Sequence, residues 1–191
     1  MDRAHTWYRT WVGLLVVLLL LFPGQGGVTL EDLRNDPKLT PKRFASQFSD
    51  FEYKYGAEVQ KPAVFLTTKV GDCDDYATLA ASVLGEKSFK THLIAVRMPG
   101  LVTHVVCYVE EEKGYLDYNL RSYLSKIQHC SPTMREIAGK VAKSFDANWT
   151  SASEFTFTNG VKRLVATLAK TDPPAQDLPL GAMGPVRRID F

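Results

Sequence analysis

Three side chains in this sequence have the types and order that thiol chemistry requires. Cys73 stands in VGDCDDYATLAASVLG, His104 in VTHVVCYVE and Asp117 in YLDYN. A thiolate is the nucleophile of acyl transfer, an imidazolium beside it stabilises the charge, and a carboxylate on the ring's other nitrogen fixes its orientation. Cys73, His104 and Asp117 are therefore the candidate catalytic residues, read as a Cys-His-Asp triad.

The elements that must position them are legible around each residue. Asp72 suits a helix N-cap, which places Cys73 in the first turn, where backbone N–H groups lack partners and the helix dipole favours a thiolate. The same N–H groups can hold an oxyanion. Asp72, Asp74 and Asp75 oppose a thiolate, so a cationic partner is needed. Along this helix Cys73, Ala77, Ala80 and Leu84 share a face, Tyr76, Leu79 and Val83 lie beside it, and Gly85 is placed to end it. The period then changes to two. THLIAVRM, a Pro99-Gly100 turn, VTHVVCYVE, an EEKG turn and YLDYN predict three consecutive antiparallel strands. His104 shares a face with Val106 and Tyr108, opposite Cys107, and the next strand brings Asp117, with Asn119 two residues on as the alternative orienting residue. Each residue alone also has an ordinary reading: a Cys packed in a core, a strand His, an Asp capping a turn. Their conjunction on helix start, strand and neighbouring strand is what points to chemistry.

The remaining elements follow the same reasoning. Thr40-Pro41 opens a helix whose Phe44, Phe48 and Phe51 recur at helical spacing as core, and Lys61-Pro62 opens another through Phe65 and Leu66 that breaks at Gly71. Residues 133–145 read as a helix. EFTFT-NG-VKRLVATL reads as a hairpin, with a helix over 161–170 as the alternative. Helices preceding an antiparallel sheet predict an α+β fold with one domain over residues 28–170. From Thr171 the chain carries four prolines and two glycines, which reads as a loosely draped or disordered tail over 171–191.

Arg3, Arg9, the apolar run from Trp11 to Phe22 and the small residues Gly24, Gly26 and Gly27 have the layout of a secretory signal over residues 1–26. A spanning helix needs about 20 apolar residues. The run falls short, so no stable membrane span is expected after signal removal, and the chain is expected to be exported to a periplasm or the extracellular space. Beyond the signal the balance is 21 basic against 20 acidic side chains, which offers no broad basic surface for nucleic acid. Three cysteines leave at least one thiol without an internal partner. A Cys107–Cys130 bridge would leave Cys73 free. Asn148-Trp149-Thr150 is a glycosylation sequon in a eukaryotic secretory route, and no His or Cys spacing suggests zinc.

FLTTKVGDCDDYATLAASVL followed by THVVCYVEEEKGYLDYN resembles the transglutaminase-like superfamily, and most of all its bacterial cysteine peptidase branch. The resemblance rests on the Gly-Asp-Cys step with its acidic residues, on Tyr76 and Ala77, on a strand His about thirty positions later, and on Leu116-Asp117 beyond a glycine turn. It covers residues 50–120. It implies a papain-like core in which a Cys-bearing helix packs on an antiparallel sheet, with Cys73 as nucleophile, His104 as general base and Asp117 orienting the His. The implied activity is amide hydrolysis on a protein or peptide substrate. Transglutaminase or deamidase chemistry would use the same triad, and some members of the superfamily are non-catalytic binding modules. No organic cofactor is implied. Some bacterial relatives bind calcium near the nucleophile, a role that Asp72, Asp74 and Asp75 could serve, although acidic residues in a first helical turn also simply complement the dipole. Two departures stand out: the aromatic residue, often Trp, before the Cys helix has only Tyr53 and Tyr55 as counterparts, and Asp117 is followed by Tyr118 before Asn119.

Overall fold

Threonines open three of the helices. In the computed structural model, which describes residues 27–124, 126–158, 160–171 and 180–181, Thr29 caps α1 (Leu30–Asn35) in a reciprocal box with Asp32. Thr40 caps α2 (Pro41–Ala45), and Thr133 caps α5 (Met134–Ser144). The signal expected over 1–26 and most of the tail lie outside the described residues. Between these helices come β1 (Glu52–Tyr53), α3 (Pro62–Thr68), β2 (Val70–Gly71) and α4 (Cys73–Glu86). The strands β3 (Thr91–Arg97), β4 (His104–Val109), β5 (Gly114–Leu116) and β6 (Ile127–His129) follow, and β7 (Ser151–Thr158) and β8 (Val161–Ala169) come after α5. No helix among the described residues is long and apolar enough to cross a membrane.

Six strands form one antiparallel sheet in the order β6-β5-β4-β3-β7-β8. Period-two alternation splits its side chains into two apolar layers. Leu93, Val105, Cys107, Val109, Leu116 and Phe155 face α4 and the short helices. Ile94, Val96, Val106, Tyr108 and Tyr115 face α5. The expected α+β fold is present, with the Cys-bearing helix laid on the sheet. The phenylalanine stripe is core as expected: Phe44, Phe48 and Phe51 are buried and pack ring against ring with Phe65 and Tyr76. The chain from Ser151 to Ala169 forms the hairpin and not the alternative helix.

Three expectations are corrected. Gly85 does not end α4, which runs on to Glu86; the left-handed turn that redirects the chain is taken by Ser88 at φ 68°. YLDYN is strand only as far as Leu116, because the Asp117 carboxylate accepts the Asn119 N–H and winds Tyr118–Leu120 into a 3-10 turn. Cys107 and Cys130 are not bridged. Cys107 points into the α4 layer and Cys130 into the α5 layer, so the sheet separates them and all three cysteines are free thiols.

Candidate active site

Asp72 and Asp75 build the start of α4 reciprocally: Asp72 Oδ1 accepts the Asp74 N–H at 3.2 Å, and Asp75 Oδ2 accepts the Asp72 N–H at 3.1 Å. Their remaining capacity ties this end to the preceding loop. Asp72 Oδ2 accepts the Gly56 N–H, and Asp75 accepts both the backbone and the side-chain N–H of Gln60. Cys73 is thereby held in the first turn, 5% exposed.

β4 meets it from the sheet. β5 pairs with β4 only as far as Leu116 opposite Cys107, so Val105 has no ladder partner on that side. Its N–H instead donates to Cys73 Sγ at 3.4 Å. The next residue back is His104, 4% exposed, with Nε2 2.9 Å from Oδ1 of Asp117, itself 3% exposed. Burial works to lower the His104 pKa, but hydrogen bonds to Asp117 and to Cys73 overcome it and raise the value to about 10. With Nε2 held by Asp117, Nδ1 is the nitrogen left for the sulfur. The fold thus brings together Cys73, His104 and Asp117, and it sets Asp117, not Asn119, against the imidazole. Tyr118 anchors this corner. Its hydroxyl donates to the Glu52 carbonyl at 2.8 Å, its ring packs on Tyr76 and Phe65, and the Arg121 guanidinium covers it.

The model of a transglutaminase-like domain family matches residues 35–143, a span that holds Cys73, His104 and Asp117. The chain belongs to that family. No curated protein and no solved structure matches the chain. In this transglutaminase-like chain Tyr53 is an aromatic residue near Cys73, its phenol pushed up by burial and then by Cys73 and Asp72.

The carboxylate oxygens of Asp72, Asp74 and Asp75 lie within 4.8 Å of one another, a spacing a hard cation accepts. The hydrogen bonds argue for a different task. Each oxygen of Asp72 and Asp75 already accepts an N–H of the chain. Asp74 Oδ1 is buried without a hydrogen-bond partner, and burial and then Asp72 raise the Asp74 pKa to about 7. These are the bonds that cap a helix and tie its start to the preceding loop.

Sequence reasoning missed the Val105 N–H, the Gln60 clamp on Asp75 and the ring of Phe145, which lies against His104. The first follows from where β5 stops, and the others from contacts distant in sequence. A cavity of about 710 Å³ lies elsewhere, lined by Tyr108, Glu110, Cys130 and Leu180.

Proposed function

We propose that this chain is an exported thiol hydrolase that cleaves amide bonds of a protein or peptide, in the manner of the cysteine peptidase branch, with Cys73 as nucleophile. The observation that carries the reading is the buried His104 held at 2.9 Å by Asp117, one residue before Val105, whose N–H meets the Cys73 sulfur at 3.4 Å. An imidazole that keeps its second proton through neutral pH is the partner a thiolate requires.

Cys73 Sγ attacks the carbonyl carbon, and the oxyanion is received by the Cys73 backbone N–H, a first-turn donor whose residue four back, Lys69, lies outside the helix and gives its carbonyl to Glu52. The C–N bond breaks as His104 passes its proton to the leaving amine, leaving a thioester on Cys73. Water then attacks the thioester carbon, His104 takes the water's proton, and the C–S bond breaks to release the acid. An amine in place of water would make the same site a transglutaminase.

Alkylation by iodoacetamide tests the nucleophile without a known substrate. Burial pushes the Cys107 and Cys130 thiols up to about 12 and about 11, so modification near neutral pH reports on Cys73. Fast alkylation that falls by at least about tenfold in His104→Ala is expected. Peptide-library cleavage that disappears in Cys73→Ala would establish the hydrolase. An inert Cys73, indifferent to His104→Ala in folded protein, would leave a binding module.

A further inference from the structure

The family match ends at residue 143, and the side chain that closes over His104 lies just beyond it. Phe145 is the C-cap of α5, and its ring stands edge-on to the imidazole with centroids 4.8 Å apart and planes at 67°.

Its position is fixed from both directions. Upstream, the buried stripe of α5, Met134, Ile137, Ala138, Val141 and Ala142, packs on Ile94, Val96 and Val106 of the sheet. Downstream, the helix closes with Ala147 N–H donating to the Ala142 carbonyl at 2.9 Å, Asp146 N–H donating to that of Lys143 at 3.1 Å, and Asp146 left-handed at φ 51°. Trp149 is then buried in the same layer, and the Thr150 N–H pairs with the Arg97 carbonyl at the end of β3. The loop that carries Phe145 is therefore clamped between a packed helix and a paired strand. Its place over the imidazole is a property of the fold.

The groups that face His104 are the Cys73 thiol from α4, the Asp117 carboxylate from the end of β5 and, from α5, this uncharged ring. A phenyl ring against one side of an imidazole excludes water there, and a hydrogen bond to a carboxylate strengthens as the local dielectric falls. It also limits how far the imidazole can turn about its side-chain bonds. We propose that Phe145 is a positioning residue of the site, walling His104 from solvent and holding the ring so that Nε2 stays on Asp117 and Nδ1 faces Cys73. The assignment rests on the reading of Cys73 and His104 as a working pair.

The test follows Cys73 alkylation by iodoacetamide from about pH 5 to about pH 9, with NMR detection of the His104 imidazole N–H proton. Phe145→Ala is expected to slow alkylation near neutral pH by at least about tenfold and to move its pH profile toward that of Asp117→Ala. The imidazole proton would then exchange with water faster. Phe145→Val, which fills the helix end but falls short of the imidazole, carries the same expectation and keeps the test sound should the alanine variant unfold. Phe145→Tyr restores the parent profile. Adding Phe145→Ala to Asp117→Ala is expected to slow the reaction no further, because both act through one ring. A parent-like profile and proton exchange in folded Phe145→Ala or Phe145→Val would overturn the inference while His104→Ala still slows alkylation. Indifference to His104→Ala would instead remove the reading on which it stands.

Discussion

Asp117 performs two tasks with one oxygen. Oδ1 lies 2.9 Å from His104 Nε2 and also accepts the Asn119 N–H that opens the 3-10 turn. An amide oxygen can do both, but without the charge. Asp117→Asn is therefore expected to melt like the parent while Cys73 alkylates about tenfold more slowly near neutral pH, since the imidazolium loses its counter-charge. Asp117→Ala should lose the cap as well, at a cost of about 1 kcal/mol in urea unfolding. Equal alkylation rates in Asp117→Asn and the parent would mean that the carboxylate serves only the turn. This double duty explains what the sequence discloses at the residue scale. Cys73, His104 and Asp117 were legible because their chemistry is scarce and their order on helix start, strand and strand is specific. Phe145 and Gln60 were not, since a Phe at a helix end and a Gln in a loop acquire their tasks only from the partners that folding brings, His104 in one case and Asp75 in the other.

Gly71 shows how tightly the elements around Cys73 are pressed together. A Cβ there would lie 2.6 Å from both Asp75 Oδ2 and Phe65 Cδ2, so β2 fits between α3 and the start of α4 only without a side chain. Gly71→Ala is expected to destabilise by about 1–3 kcal/mol, read as a lower denaturant midpoint at unchanged slope. Gly85 is the control. A Cβ there meets nothing within 4 Å, and Gly85→Ala within the last turn of α4 should stabilise by about 0.4–1 kcal/mol. A Gly71→Ala protein as stable as the parent would show that Phe65 and Asp75 can shift. The long elements, α4, α5, β3, β4 and the β7–β8 hairpin, were readable because each repeats its apolar period several times or carries a cap or an Asn-Gly turn. Strands β1, β2 and β6 are two or three residues long, too short to display a period, and they exist because a distant neighbour offers hydrogen bonds. Helix α1 did carry a signal, the Thr29 to Asp32 capping box.

For the whole molecule, proton balance sets the pH at which the fold is firmest. On the face away from Cys73, His92 of β3 links β7 to the turn after β4: its Nδ1 lies 2.7 Å from Glu154 Oε1 and its Nε2 2.9 Å from Glu110 Oε1. Glu154 also accepts the Gly181 N–H, which ties the tail to the same knot. Burial pulls the His92 pKa down, but the hydrogen bonds to Glu154 and then Glu110 overcome it and raise the value above the ordinary one. A folded state that binds its proton more tightly than the unfolded chain is stabilised below the unfolded value, about 6.5, and loses that stabilisation as pH rises through the folded value. Asp74 has the same sign over a lower window, from its ordinary 3.8 up to about 7, because burial and then Asp72 disfavour its charge. His104 adds to the same trend above about 6.5, since burial lowers its value but the hydrogen bonds to Asp117 and Cys73 raise it to about 10. The melting temperature is therefore expected to be highest in mild acid and to fall steadily from about pH 5 to about pH 9. His92→Gln should lessen the upper part of that fall by removing one of the two histidines that act there, and Asp74→Asn should flatten the lower part. A melting temperature that rises across the same range, or a His92→Gln protein with the parent's slope, would place the controlling protons elsewhere.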